Sequence, residues 1–165
     1  MITRLAKILL LGAVAFFYTL VVFNNLTDFD SNYQFVRHVL SMDSTFSGNR
    51  GMWRALTAPH WHVMFYASII AWEMTTMMLC WFGAYRLWSA RARSVAEFQQ
   101  AKRIPLIALT LAMLMWLVAF LSVGAEWFLM WQSHTWNGQE AAFRMFVVVG
   151  IIFLSLLIPE AESAA

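Results

Sequence analysis

The sequence predicts an all-α protein, a four-helix transmembrane bundle with a short amphipathic helix in its first outer loop. Three observations lead to this prediction. Apolar residues make up 61% of the 165 residues and charged residues only 12%, whereas soluble domains average ~45–50% and ~25%. Four apolar stretches approach or exceed the ~20 residues that a helix needs to cross a membrane. The three prolines lie near the ends of these stretches, where proline disturbs a helix least.

The whole chain, residues 1–165, is predicted to form a single integral membrane domain. The predicted spans are residues 5–23, 63–88, 104–131 and 141–158. They leave an outer loop at residues 24–61 and a cytoplasmic loop at residues 89–103.

The first span also has some features of a signal peptide. Arg4 and Lys7 precede an apolar run, and Ala13-Val14-Ala15 resembles a cleavage site. Only five apolar residues precede that site, which is short for a signal peptide, so we expect the span to be retained. Seven Lys and Arg residues fall on the side of the termini and four on the other side. The positive-inside rule therefore predicts that both termini are cytoplasmic.

The outer loop is predicted to be ordered. Phe35, Val36, Val39 and Leu40 recur at helical spacing, which indicates a short amphipathic helix on the bundle or at the lipid interface. Ser31 or Asn32 could cap the start of this helix.

The loop begins with the polar stretch FNNLTDFDSN, residues 23–32. Its Asp-x-Asp-x-Asn spacing matches the start of a calcium loop, but Tyr33 and Val39 occupy positions where that motif requires Gly and Glu. Its glycosylation sequon lies too close to the membrane to be reached easily. We interpret the stretch as turns and a helix cap, and predict an outer-loop recognition surface formed by Asn24, Asn25, Asp28, Asp30, Asn32, Arg37, His38, Trp53 and Arg54.

Charged residues inside the last two spans predict an ion pair. Glu126 and Arg144 lie nine residues before and nine after Thr135, near the centre of the hairpin. Equal separation implies similar depth, and charges within a membrane usually pair. We expect a structural ion pair in preference to a proton relay.

Glu73 is predicted to form an intramembrane polar site. Counting ~1.5 Å per residue from Trp61 places it ~18 Å below the outer surface. Tyr66 and Thr76 share its helical stripe, and Ser122 is a possible partner across the helix interface. Desolvation there favours the neutral acid. Two interpretations remain open: a hydrogen-bonded acid that fixes helix packing, or a proton or cation site.

The remaining candidate chemistry is weak. His60, His62 and His134 could collect a metal at the outer face, although no spacing requires one. No span carries a histidine in its interior, so a transmembrane haem is rejected, and no catalytic motif is found. We therefore expect no metal, no cofactor other than lipid contacts, and no enzymatic activity.

A family resemblance adds to these observations. The segments NNLTDFDSNYQFVRHVLSMDSTF and MWRA, between the first and second spans, resemble a bacterial family of predicted small integral membrane proteins of unknown function. The chain length and the four-span layout are similar as well. The resemblance implies the bacterial inner membrane and a periplasmic first loop, and it brings no catalytic or ligand residues.

The leading functional expectation is a non-catalytic accessory, assembly or stabilising subunit of a larger inner-membrane complex. The alternative is a small proton-coupled transporter or proton-pathway protein that uses Glu73, and a weaker one is metal or cofactor handling at the periplasmic face. The expected partners are membrane lipids and a larger complex or further copies of the chain. A net charge of +2 does not suggest nucleic acid.

Overall fold

The structure is a computed structural model that describes residues 1–160. Within this part of the chain it is helical and contains no strand. Six α-helices are α1 (Ile2–Thr27), α2 (Phe29–Ser41), α3 (Pro59–Ala90), α4 (Val95–Ala101), α5 (Arg103–Leu114) and α6 (Gln139–Leu157). A π-helical segment, Met115–Trp127, continues α5, and short 3₁₀ turns occur at Met52–Arg54 and Met130–Gln132.

Four helical segments have the length and apolar character needed to cross a membrane, which confirms the predicted fold class. They are Ile2–Thr27, Pro59–Ala90, Val95–Trp127 and Gln139–Leu157. Pro59 occupies the first turn of α3, where its missing N–H has no intrahelical partner to lose. Four crossings bring both ends of the described chain to one side, where the Lys7 ammonium donates to the Ile158 carbonyl oxygen at 2.7 Å.

The helices pack around α3. It lies between α1 and α5, while α6 covers α5 and the π-helical segment. Gly83 of α3 meets Pro105 of α5 so closely that a Cβ there would lie 3.1 Å from three proline atoms. The larger of two hydrophobic cores, called the inner core here, joins α1, α3, α4, α5 and α6. It includes the fully buried side chains of Leu11, Leu87 and Leu109. Close approach at a small residue is the usual way that membrane helices gain packing contacts.

The π-helical segment is the main irregularity of the bundle. The Phe128 amide bonds to the Val123 carbonyl at 3.0 Å, a five-residue step. The segment ends where Leu129 adopts a left-handed conformation, with φ of 54°. Because a π-helix turns less per residue than an α-helix, side chains after Met115 face directions that α-helical counting does not predict.

The outer loop is folded against the bundle. α2 is followed by a turn in which Gly48 has φ of +76°, and the Leu56 amide returns to the Leu40 carbonyl at 2.8 Å. Val39 and Leu40 of α2 are buried with Phe128 and other apolar residues in a second core. Asp28 occupies the N-cap position of α2 without a side-chain capping bond, so the predicted cap at Ser31 or Asn32 is wrong.

The inner loop contains a helix that the sequence analysis did not predict. α4 begins with a capping box, in which the Ser94 hydroxyl and the Glu97 side chain each bond to the other residue's backbone amide. Phe98 of this helix is fully buried in the inner core. α4 is therefore anchored beneath the bundle.

Candidate functional site

The outer polar cluster consists of Asn25, Asn32, Tyr66 and Glu73. The Asn25 amide nitrogen donates to Glu73 Oε2 at 2.6 Å. Asn25 Oδ1 accepts from the Tyr66 hydroxyl at 3.1 Å and from the Asn32 amide nitrogen at 2.6 Å. Asn25 is only 3% exposed and Glu73 5%. One asparagine thus connects α1, α2 and α3 through hydrogen bonds, of which those to Glu73 and Tyr66 are buried.

Helical spacing explains why these residues meet. Tyr18, Val22 and Asn25 lie on one face of α1, and Tyr66, Glu73 and Thr76 lie on one face of α3. All six are buried, so the two stripes face the bundle interior. The polar residues are therefore held by apolar packing between α1 and α3.

Glu73 lies at the level at which α1 ends. Its partner Asn25 lies two residues before the end of α1. Glu73 itself lies near the middle of α3, twelve residues after Trp61 and fifteen before Trp88. The contact shows that the end of α1 reaches the level of the middle of α3. The depth of Glu73 in the membrane stays a prediction.

Three buried polar atoms near this cluster have no hydrogen-bond partner among the described residues. They are the Tyr18 hydroxyl, Thr76 Oγ1 and Trp116 Nε1, and the Trp116 side chain lies close to the Tyr18 hydroxyl. Thr76 lies one helical turn from Glu73, and Tyr18 lies two turns from Asn25. Buried groups of this kind usually bond to protein or ordered water. The bundle interior next to Glu73 therefore contains polar groups that apolar packing between helices does not require.

Ser122 does not contact Glu73. Its side chain is exposed, and its hydroxyl donates to the Leu117 carbonyl at 2.9 Å. The prediction that placed Ser122 opposite Glu73 assumed α-helical winding. The π-helical segment changes that winding and turns Ser122 away from the interior.

Glu126 and Arg144 do not form the predicted ion pair. No ion pair of the described chain joins them, and both side chains are exposed on the outside of the bundle. Counting residues from the centre of the hairpin predicts the depth of the two side chains, but not the direction in which each side chain points. Glu126 lies near the end of the π-helical segment, where the face of a residue no longer follows α-helical spacing.

The predicted recognition residues fall into two groups. Asn25 and Asn32 bond to each other within the outer polar cluster, and Asn25 is buried, so it cannot be read from outside. The others lie on the outer surface or bond locally. Asp28 accepts from Ser31, Asp30 accepts from Gln34, Arg37 donates to Gln34, His38 pairs with Asp43, and Asn24 is exposed.

An aromatic platform lies at the outer face and consists of Phe46, Trp53, Trp127 and Trp131. The rings of Trp53 and Trp127 meet edge to face at 5.8 Å, and those of Phe46 and Trp131 at 5.7 Å. All four side chains are exposed, Trp53 the most at 75%. Arg54 supports the platform, because it donates to the Trp127 carbonyl at 2.9 Å at the end of the π-helical segment.

The histidines are not assembled as a metal site. His62 is buried, and its Nε2 lies 2.6 Å from the Leu56 carbonyl oxygen and 3.3 Å from Ser41 Oγ. His60 packs against Trp61. Residues 1–160 contain no group of three side chains placed to hold a metal ion, so His60, His62 and His134 are not brought together for one.

An apolar groove of about 250 Å³ lies between α2, α3 and the π-helical segment. Its walls include Phe35 and Val39 from α2, Phe65 and Trp72 from α3, and Val118 and Val123 from the π-helical segment. No pattern in the sequence indicates this groove, because one of its walls is the π-helical segment. Glu73 is not among its lining residues.

The inner ion cluster consists of Lys7, Lys102 and Glu160, with Arg4 Nε 3.8 Å from Glu160 Oε2, and it was not among the sequence predictions. Glu160 Oε1 accepts from the Lys7 ammonium at 2.6 Å and lies 3.1 Å from that of Lys102. Burial alone would raise the pKa of Glu160, but the hydrogen bonds from both lysines outweigh burial and hold that pKa below its usual value. Glu160 therefore ties the end of α6 to α1 and α5. The only signal in the sequence was an acid directly after Pro159, facing a basic inner side.

Comparison with known families agrees with this architecture. A family described as a predicted small integral membrane protein, DUF2165, matches residues 3–159. No curated protein and no solved structure matches the chain. The chain belongs to the DUF2165 family, and the resemblance predicted from the outer loop is confirmed.

Proposed function

We propose that this DUF2165 member is a non-catalytic accessory subunit that stabilises or assembles a larger complex of the bacterial inner membrane. The aromatic platform is the observation that carries the proposal. Trp53 is 75% exposed although it belongs to a folded loop. Exposed Trp and Phe beside an Arg are the composition favoured at protein interfaces and their hot spots.

The rigidity of the platform supports a docking role. Arg54 lies 5.6 Å from the Trp53 ring and 5.5 Å from the Trp127 ring, and it also bonds to the end of the π-helical segment. The Phe46 amide donates to Gln132 Oε1 at 3.2 Å, which joins the outer loop to the hairpin. A preorganised surface loses less conformational entropy when a partner binds. The positive-inside rule would place this surface in the periplasm and both termini in the cytoplasm.

Purification in a mild detergent tests the proposal. The wild-type protein should migrate in native electrophoresis with a larger complex, whose other subunits mass spectrometry identifies in constant ratio. The double variant Phe46→Ala/Trp53→Ala should lose that complex and remain folded. Phe16→Ala is the matched control, because Phe16 is 56% exposed but lies within the span of α1. A wild-type protein that migrates only with copies of itself would contradict an accessory role.

A proton pathway through Glu73 is the second candidate, and the three unpartnered polar atoms near the outer polar cluster favour it. Ordered waters bonded to these atoms would extend a polar path inward from Glu73. Proton flux into proteoliposomes should then fall in Glu73→Gln and persist in Glu126→Gln, which alters an exposed carboxylate. Equal flux in wild-type protein, in Glu73→Gln and in empty liposomes would eliminate this candidate.

A further inference from the structure

A second cavity lies at the opposite face of the bundle, where α3 ends and α4 begins. This inner-face pocket has a volume of about 300 Å³, at the lower end of the range for small-molecule sites. Its polar lining comes from Arg86, Ser89, Arg93, Glu97 and Gln100. Ala90 and Ala101, both buried, complete its lining.

The pocket carries a net positive charge. Two arginines and one glutamate line it, and Glu97 is already bonded by the Ser94 hydroxyl at 2.7 Å and by Arg93 Nη1 at 3.4 Å. Arg86 makes no hydrogen bond or ion pair with another described residue, although its guanidinium lies 5.9 Å from the Phe82 ring. An unpaired arginine beside a hydroxyl and an amide is suited to an anionic oxygen ligand.

The backbone that forms the pocket is held in place from α1. Arg4 Nη1 donates to the Arg91 carbonyl at 3.0 Å and to the Arg93 carbonyl at 2.7 Å, and its guanidinium packs over the Phe98 ring at 4.7 Å. Arg91 instead bonds to the Trp88 carbonyl and packs on its ring. Arg4 and Arg91 are therefore structural, whereas Arg86 and Arg93 face the cavity.

The surroundings of the pocket indicate a lipid rather than a soluble ligand. Phe82, Tyr85 and Trp88 lie on the last turns of α3, beside the pocket residues Arg86 and Ser89, and their side chains are exposed. Aromatic side chains at this level mark the boundary between acyl chains and headgroups. A headgroup in the pocket would thus leave its acyl chains against the apolar surface of α3.

We propose that the inner-face pocket binds the phosphate group of an anionic phospholipid. Arg86 and Arg93 pair with the phosphate oxygens, and Ser89 and Gln100 donate further hydrogen bonds to the headgroup. Basic pockets on the cytoplasmic side of membrane proteins bind lipid headgroups in this way. This inference is independent of the accessory function, because lipid binding at the inner face needs no protein partner.

Native mass spectrometry of the purified protein with added phosphatidylglycerol tests the proposal. Arg86→Gln should weaken binding by about fivefold, and Arg86→Gln/Arg93→Gln by about thirtyfold, from the usual contribution of a basic residue near a membrane surface. Arg86→Lys should retain most of the affinity because it keeps the charge. Arg144→Gln is the control, since it removes one exposed arginine from another part of the bundle. Unchanged melting temperatures would show that the variants fold.

A competition experiment distinguishes binding of a lipid headgroup from binding of free phosphate. Phosphatidylcholine should displace phosphatidylglycerol poorly, and inorganic phosphate should not displace it at millimolar concentration. Displacement by inorganic phosphate would overturn the lipid assignment. Equal binding of phosphatidylglycerol and phosphatidylcholine would contradict the preference for an anionic lipid. Equal affinity of Arg86→Gln/Arg93→Gln and Arg144→Gln for phosphatidylglycerol would show that the lipid does not bind in this pocket.

Discussion

Replacing Asn25 with alanine should destabilise the bundle by about 3–5 kcal/mol. The substitution removes three hydrogen bonds, to Glu73, Tyr66 and Asn32. Hydrogen bonds between membrane helices average ~0.6 kcal/mol in double-mutant cycles, so their direct loss contributes about 2 kcal/mol. Leaving a buried carboxyl group without its donor accounts for the rest, since such groups cost ~1–3 kcal/mol.

Asn24 provides a matched control for this experiment. It is the preceding residue on α1, it is also asparagine, and its side chain is exposed. Unfolding in mixed micelles with increasing SDS should show Asn24→Ala within about 0.5 kcal/mol of the wild type. If Asn25→Ala unfolds with the same free energy as Asn24→Ala, the outer polar cluster does not hold the helices together.

A double-mutant cycle makes the test specific to the contact. Asn25→Ala and Glu73→Ala should be coupled by more than about 0.5 kcal/mol, as expected for groups that bond directly. Additive effects would show that the two residues stabilise the bundle independently.

Two further predictions concern helix packing and the inner face. Gly83→Ala should destabilise the protein by about 1–3 kcal/mol, because its Cβ would lie 3.1 Å from Pro105, whereas Gly12→Ala, with nothing within 4 Å, should be neutral or stabilising by up to about 1 kcal/mol in the same SDS titration. Destabilisation by both alanines to the same extent would contradict the close approach of α3 and α5. Glu160→Gln should cost about 2 kcal/mol at neutral pH. Since the lysines hold the pKa of Glu160 below its usual value, this stabilisation is present above the unfolded-state pKa and is lost as pH falls through the lower folded-state pKa. Unfolding free energies measured between about pH 7 and about pH 3 should therefore converge for wild type and Glu160→Gln. A difference that stays constant over this range would refute the role of the ionised carboxylate.

Several features of the candidate site could be read from the sequence. Tyr66, Glu73 and Thr76 were placed on one inward face because α3 keeps regular α-helical spacing, and the structure buries all three. The partner of Glu73 was predicted wrongly as Ser122. Asn25 was assigned to an exposed recognition surface, since a polar residue beside a membrane exit has no sequence signal that distinguishes burial from exposure.

The hairpin between the last two spans shows a different limit. Separation along the chain gave Glu126 and Arg144 similar depth, but pairing also depends on the direction of each side chain. That direction is set by the π-helical winding of Met115–Trp127, which neither composition nor hydrophobic periodicity indicates. The apolar groove was missed for the same reason.

The sequence by itself determined the class of the protein. Its apolar content and the length of its apolar stretches require four membrane-spanning helices, because a backbone in lipid must satisfy its own hydrogen bonds. Its outer loop also indicated the family. Only the tertiary structure decided which polar groups meet: Asn25 with Glu73, Glu160 with Lys7 and Lys102, and Arg86 with the pocket beside α4. The first two contacts join residues far apart in the chain, and all three depend on helix rotation and tilt, which hydrophobicity constrains only loosely.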